Sequence, residues 1–234
     1  MPDNHSQEIG ASVPRRLALS PDCFLTRCSD YPNFIPASFK IDAQGKTLYI
    51  DPFHVTGTAP ADVILITHAH PDHLSPADIA RIVKKETRII CPQKFVGKLS
   101  GYTPEKVKPG DVLDLGGIQC EVVPAYNRWF PAHHRWFKFV GYVLTIDGVR
   151  IYHAGDTDFI PEMKNIQNLT AALVPIGVSV LAMNPAQAAA AVNTMKPAIA
   201  VPMHYATGKQ SVEKFKRLVD PGIRVENMEG DLSA

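Results

Sequence analysis

The segment ITHAHPDHLS, Ile66 to Ser75, sets His68, His70, Asp72 and His73 within six positions, and holds a third of the nine histidines in the 234-residue chain. Neutral imidazole nitrogen and carboxylate oxygen bind Zn2+ at about 2.0–2.2 Å, and a catalytic site built from them keeps one position for water. His68 and His70 follow the apolar run DVILIT. In extended backbone, side chains at i and i+2 share a face, so these two imidazoles converge. Pro71 then turns the chain, and Asp72 with His73 forms a second pair aimed elsewhere. Two diverging pairs suit two neighbouring cations better than one. A structural zinc site would bring cysteines, and Cys23, Cys28, Cys91 and Cys120 neither form a CxxC pair nor lie near the loop.

Other residues of suitable type stand further along. Asp156, in the Gly-Asp turn of YHAGDTD, follows a strand-like run and projects a carboxylate from a sheet edge. His204 closes AIAVPMHY and, taken alone, reads equally as a core histidine; His153 reads equally as a supporting neighbour or a strand-end residue. In NRWFPAHHRWFKF, two tryptophans, three phenylalanines and three basic residues interleave. This stretch is either a surface loop packing its aromatics inward, or a substrate lid or subunit contact through 128–139. In the second case Arg128, Arg135 and Lys138 would receive an anionic group, beside Trp129 and Trp136.

These residues need a frame. DVILIT reads as a buried strand and SPADIARIVKK as a helix, with Ser75 as N-cap, Pro76 at the first position, Asp78 as a capping-box carboxylate and Lys84-Lys85 at the C-terminal end. FKIDAQGKTLYIDPF turns at Gln44-Gly45, GDVLDLGGIQCEVVPAY at Gly116-Gly117 and GYVLTIDGVRIYHAGD at Asp147-Gly148, which makes three hairpins. AALVPIG and AIAVPMHY are strands, NPAQAAAAVNTMK is a helix capped by Asn184, SVEKFKRLVD is a second helix, and IRVENM is a closing strand. Residues 1–20 read as a loose arm, and 21–234 as one domain of mixed sheets with helices outside.

With that frame in place, the chain resembles the metallo-β-lactamase superfamily. HAHPDH fits its HxHxDH signature between an apolar strand and a helix. Asp51 in YIDPF, Asp156 in YHAGDTD and His204 in VPMHY follow its order, over roughly 23 to 228. The resemblance implies an α/β fold, a four-layer αβ/βα sandwich of two mixed β-sheets flanked by helices, with a binuclear site at one edge of the sheets. It implies His68 and His70 on the first metal, Asp72, His73 and His204 on the second, Asp156 bridging them, and Asp51 buttressing a ligand histidine. A third first-site histidine belongs where Asn127 stands, with His133 and His134 a few residues later. One of that pair swings in, or Asn127 coordinates weakly, or the first site binds loosely. PAYN…GYV…YHAGDTD…PEM is similar to lactonase-like members near the ascorbate-6-phosphate lactonase group, and more distantly to the N-acyl-phosphatidylethanolamine phospholipase D group.

The implied function is a metal-dependent hydrolase with two divalent ions, Zn2+ first and Mn2+ or Fe2+ as alternatives. Such a pair supplies hydroxide near neutral pH, with Asp72 orienting it against a small ester, lactone or phosphodiester. His133, His134 and Tyr205 are candidates for the leaving-group acid. A mononuclear iron oxygenase of the same fold and a catalytically silent metal-binding member are the alternatives. A carboxylate replaces His70 in the flavodiiron branch, which argues against that chemistry. The formal charge of +1, from 24 basic and 23 acidic residues, leaves no footprint for nucleic acid or an anionic membrane. Pro21 and Asp22 interrupt the apolar run after Arg15-Arg16, so a cytoplasmic location is expected, and no run approaches a membrane span.

Overall fold

The computed structural model describes residues 16–128, 133–177, 181–208 and 210–229. The first half contributes β1 (Arg16–Ser20), β2 (Cys23–Arg27), β3 (Phe34–Ile35), β4 (Phe39–Ala43), β5 (Lys46–Ile50), β6 (Val63–Leu65), helix α1 (Pro76–Ile82), β7 (Arg88–Pro92) and β8 (Glu105–Val107). All of these strands but β3 form a seven-stranded sheet in the order β1-β2-β4-β5-β6-β7-β8. Its pairings are antiparallel as far as β5 and parallel beyond it.

The second half contributes β9 (Val112–Asp114), β10 (Gln119–Ala125), β11 (Phe139–Ile146), β12 (Val149–His153), β13 (Ala171–Pro175), α2 (Pro185–Met195), β14 (Ile199–Met203), β15 (Tyr205–Ala206), α3 (Ser211–Leu218) and β16 (Arg224–Val225). Its seven-stranded sheet runs β9-β10-β11-β12-β13-β14-β16 and switches from antiparallel to parallel at β12. The two sheets therefore share one topology, although the sequence shows no repeat. The short pair β3·β15 ties one half to the other.

Local chemistry explains these elements. The hairpins β4-β5 and β11-β12 turn on Gln44-Gly45 and Asp147-Gly148, all four residues at positive φ, the two-residue geometry that matches strand twist. Along β5 and β6, Leu48, Ile50, Val63 and Leu65 enter the core shared with Tyr142, Ile151, Leu173 and Val201 of the second sheet. The alternate residues Tyr49, Ile64 and Ile66 face outward, where Ile79 and Ile82 of α1 cover them. Burying each such side chain contributes about 1.5–3 kcal/mol. The capping box of α2 is complete: Asn184 accepts from the Ala186 and Gln187 amides, and Gln187 accepts from the Asn184 amide. Helices outside two facing sheets give the four layers expected. Among the described residues, no helix is long and apolar enough to cross a membrane.

Three expectations change. Residues 16–20 are not part of an arm but strand β1, paired with β2 from Arg16↔Thr26 onward, because Leu17 and Leu19 lean on the core; residues 1–15 lie outside the described residues. Ser75 caps α1 by accepting from the Asp78 amide, but the Asp78 carboxylate does not return to the cap. It accepts from the His54 and Val55 amides at 2.9 and 3.0 Å, and so ties α1 to the loop after β5. The helix ends at Ile82, which leaves Lys84 beyond it, paired with Asp62.

Candidate metal centre

The C-terminal ends of β5, β6, β12 and β14 meet at one edge of the molecule. Asp51 follows β5 directly, the histidine loop follows β6, Asp156 stands three residues after β12, and His204 follows β14. Asp51 and His204 both adopt left-handed backbone, φ 47° and 54°, a conformation that non-glycine residues hold only where surrounding contacts enforce it. At Asp51 those contacts are visible. Its amide donates to the Leu65 carbonyl, and Ser38 Oγ donates to its carbonyl.

Asp51 is fully buried. It accepts from the Thr67 amide at 2.8 Å, the Thr67 hydroxyl at 2.6 Å and His73 Nδ1 at 2.7 Å. Thr67 has one hydroxyl proton and gives it to Asp51, so its oxygen accepts from His68 Nδ1 at 3.1 Å. Both His68 and His73 are thereby held as Nδ1–H tautomers, with Nε2 aimed into the site. One carboxylate orients two imidazoles, as the sequence led one to expect for one.

Among the described residues three overlapping groups of donors result, each with its atoms within 4.8 Å of one another: His68, His70 and His133; His68, His73 and Asp156; Asp72, His73 and His204. In the first, His70 Nδ1 lies 3.1 Å from His68 Nε2 and 3.3 Å from His133 Nε2. Tetrahedral ligands at about 2.0–2.1 Å from Zn2+ stand roughly 3.3 Å apart, so the spacing fits a shared cation. In the third, His204 Nε2 is 3.1 Å from Asp72 and 3.4 Å from Asp156. Asp156 stands in the middle group, between the other two. His73 Nε2 and Asp156 Oδ1 are both buried without a hydrogen-bond partner, 3.6 Å apart. Two buried lone-pair atoms that face each other with no proton donor between them are what a cation-binding site supplies.

The electrostatics agree. Burial pushes the His133 imidazolium down to about 4, and burial with the nearby His73 holds His68 well below its ordinary value. Burial lowers His70 as well. These three offer lone pairs rather than protons at neutral pH. Burial alone would raise Asp72 and Asp156, but His204 and His73 outweigh it, bringing Asp72 to about 2 and Asp156 below the carboxylate range. Burial opposes a charge on His73, yet Asp156 and Asp51 raise it well above the imidazole range. A proton there supplies positive charge that the surrounding carboxylates otherwise draw from a cation.

The remaining predicted residues have other partners. Asn127 donates through Nδ2 to Asp158. His134 accepts from the Trp136 amide and stacks on that ring, and Trp136 itself is 84% exposed. Arg128 points outward while its amide bonds Asp158, and Arg135 pairs with Glu162. Trp129 lies outside the described residues. His153, which reads equally as a supporting neighbour or a strand-end residue, bonds the Ala37 carbonyl and accepts from the Gly155 amide, one residue before Asp156. Tyr205 is buried and its hydroxyl donates to Asn227. Two aromatic neighbours complete the surroundings, Phe139 from the aromatic stretch and Phe34, which the sequence did not single out. Phe139 stacks on His68 at 5.0 Å and meets His133 edge-on at 4.7 Å, and Phe34 meets His204 edge-on at 5.1 Å. Phe34 has no sequence signal, since it is a lone phenylalanine in a two-residue strand.

Residues 34–204 match the Beta-lactamase superfamily domain. A UPF0173 metal-dependent hydrolase of Methanoculleus marisnigri is 34% identical over 190 residues, which is 76% of this chain and 83% of that protein. The chain belongs to the UPF0173 metal-dependent hydrolase family of the metallo-β-lactamase superfamily. Within solved structures, a Parabacteroides distasonis protein assigned as a metal-dependent hydrolase is 32% identical, with a TM-score of 0.81, covering 94% of this chain and 100% of that one. Igni18, a metallo hydrolase of Ignicoccus hospitalis, is 25% identical with a TM-score of 0.69, covering 84% and 93%. For this UPF0173 member, then, the fold and a metal-dependent hydrolytic activity follow.

Proposed function

We propose that the chain hydrolyses an ester, lactone or phosphodiester bond of a small substrate at the His/Asp cluster, with His68, His70 and His133 holding one divalent cation, Asp72, His73 and His204 another, and Asp156 between them. The observation that carries this is the overlap of three donor groups around one buried carboxylate. Two cations held there, Zn2+ first with Mn2+ or Fe2+ as alternatives, would acidify a water and polarise the carbonyl or phosphoryl oxygen. Asp72 is the carboxylate that reaches solvent, its side chain 34% exposed. It is deprotonated at working pH and can accept a hydrogen bond from the attacking water and orient it. Asp51 and Thr67 hold the imidazoles in register, and Phe139 keeps water from their far side. The single-iron alternative rested on a missing third histidine, and His133 now stands beside His68 and His70.

Metal analysis of protein purified without added metal is expected to find two zinc or manganese ions per chain; one iron alone would favour the oxygenase. In a screen of neutral esters, lactones and phosphodiesters, His68→Ala and Asp156→Ala each should lower turnover about 100-fold or more. Turnover that survives both substitutions refutes the hydrolase reading at this site.

A further inference from the structure

Beyond its ligands, the site has a flank that the sequence did not single out. Phe34 lies edge-on to His204 at 5.1 Å. Tyr31 stands edge-on to Phe34 at 6.2 Å and packs on Phe53 at 5.2 Å and His54 at 4.7 Å. These rings are not core: Tyr31 is 37% exposed, His54 is exposed, and Phe34 and Phe53 are half-buried. They are also held in place. Phe34 pairs with Ala206 and Ile35 with Tyr205 in the β3·β15 pair. The His54 amide is fixed by Asp78, and the Phe53 amide by Ser38. The wall meets the site through Phe34, whose ring contacts His204; His204 bonds Asp72, the carboxylate of the site that reaches solvent. An exposed aromatic surface fixed beside a reactive centre gains free energy only when something apolar covers it.

The geometry points to the Tyr31–Phe34 wall as the subsite for the non-reacting part of the substrate, an uncharged aryl or alkyl group flanking the scissile bond. This rests on the hydrolase reading and narrows it. The basic side chains of the 128–138 segment show no hydrogen bond, ion pair or ring contact with this wall: Arg128 and Lys138 are exposed, and Arg135 pairs with Glu162. A carboxylate on the flanking group would lose its hydration against the rings.

The test uses the metal-loaded chain and 4-nitrophenyl esters of acetate, hexanoate and succinate, which share one leaving group. Hexanoate is expected to exceed acetate about 10-fold or more in kcat/KM, as several buried methylenes permit, with succinate no better than acetate. Tyr31→Ala, which changes an exposed side chain in ring contact with Phe34, Phe53 and His54, should remove most of the hexanoate advantage through KM with two metals still bound. Phe34→Leu should keep the hexanoate preference, with two metals still bound. Equal turnover of hexanoate and acetate, or a preference for succinate, overturns the inference while leaving the hydrolase standing. If no ester is cleaved, the ester branch of the hydrolase reading fails, and the wall is then judged by saturation-transfer NMR with 2-phenylethanol. Transfer that is lost in Tyr31→Ala sustains it, and transfer that is absent or unaltered overturns it.

Discussion

Asp51 accepts three hydrogen bonds from a fully buried position, and two of them set the tautomers of His68 and His73, the second directly and the first through Thr67. An asparagine has the same shape but only one accepting atom, so Asp51→Asn leaves at least one of the three donors unmatched whichever way the amide sits. The expected outcome is a loss of about 1–3 kcal/mol in stability together with a fall of roughly 10–100-fold in metal affinity. Thermal unfolding and competition with a chelator measure the two. Unchanged affinity would remove Asp51 from the support of the site. At this scale the sequence was most informative where residues are close together: HAHPDH named four residues by spacing and type, and all four fall in the three groups that could hold a cation. It was least informative at the third imidazole. Asn127 and His133 are six apart, yet the Asn127 amide donates to the His133 carbonyl at 2.9 Å, so the loop returns to its own start and delivers His133 to the position the motif assigns to Asn127. Spacing cannot reveal a loop that closes on itself.

At the scale of elements, the turn after β12 decides where Asp156 goes. Gly155 sits at φ 61°, with its amide on His153 Nδ1. A Cβ there would stand 3.0 Å from the Val140 carbonyl oxygen and 3.1 Å from Thr67 Cβ. Gly155→Ala therefore combines a left-handed backbone with contacts that have little room to yield, at a cost of about 1–3 kcal/mol, and it pushes on Thr67, which orients His68. Metal affinity should fall along with stability. Gly148→Ala is the matched control: φ is 82° and a Cβ would meet nothing within 4 Å. It should cost only the backbone term, about 1–2 kcal/mol, with metal affinity unchanged. Equal metal affinity in the two variants would show that the turn does not position Asp156. Elements built on local rules were legible in the sequence, the glycine hairpins and the Asn184 cap among them. Those that depend on distant partners were not. Strand β1 exists because β2 and the core receive it, and Asp78 looked like a capping residue because its true partners, the His54 and Val55 amides, lie more than twenty positions away.

At the scale of the molecule, the donors come from both sheets: His68, His70, Asp72 and His73 from the loop after β6, and His133, Asp156 and His204 from segments bordering strands of the second sheet. A cation bound between them stabilises only the state in which both sheets are folded and docked. Binding at a free concentration 100-fold above Kd adds about 2.7 kcal/mol to that state. The cysteines can report it, because all four are free and buried. Burial raises Cys23 to about 11 and Cys28, Cys91 and Cys120 to about 12. Only thiolate reacts with a disulfide reagent, and an upward shift moves the thiolate population to higher pH, so at pH 8 the native chain should hold all four thiols unreactive. Stripping the metal with a chelator should then speed labelling of Cys91, in the first sheet, and Cys120, in the second, by the same factor, read by peptide mapping after timed quenching. If labelling accelerates at Cys91 alone, the sheets open independently, and the metal stabilises one half rather than the union of the two.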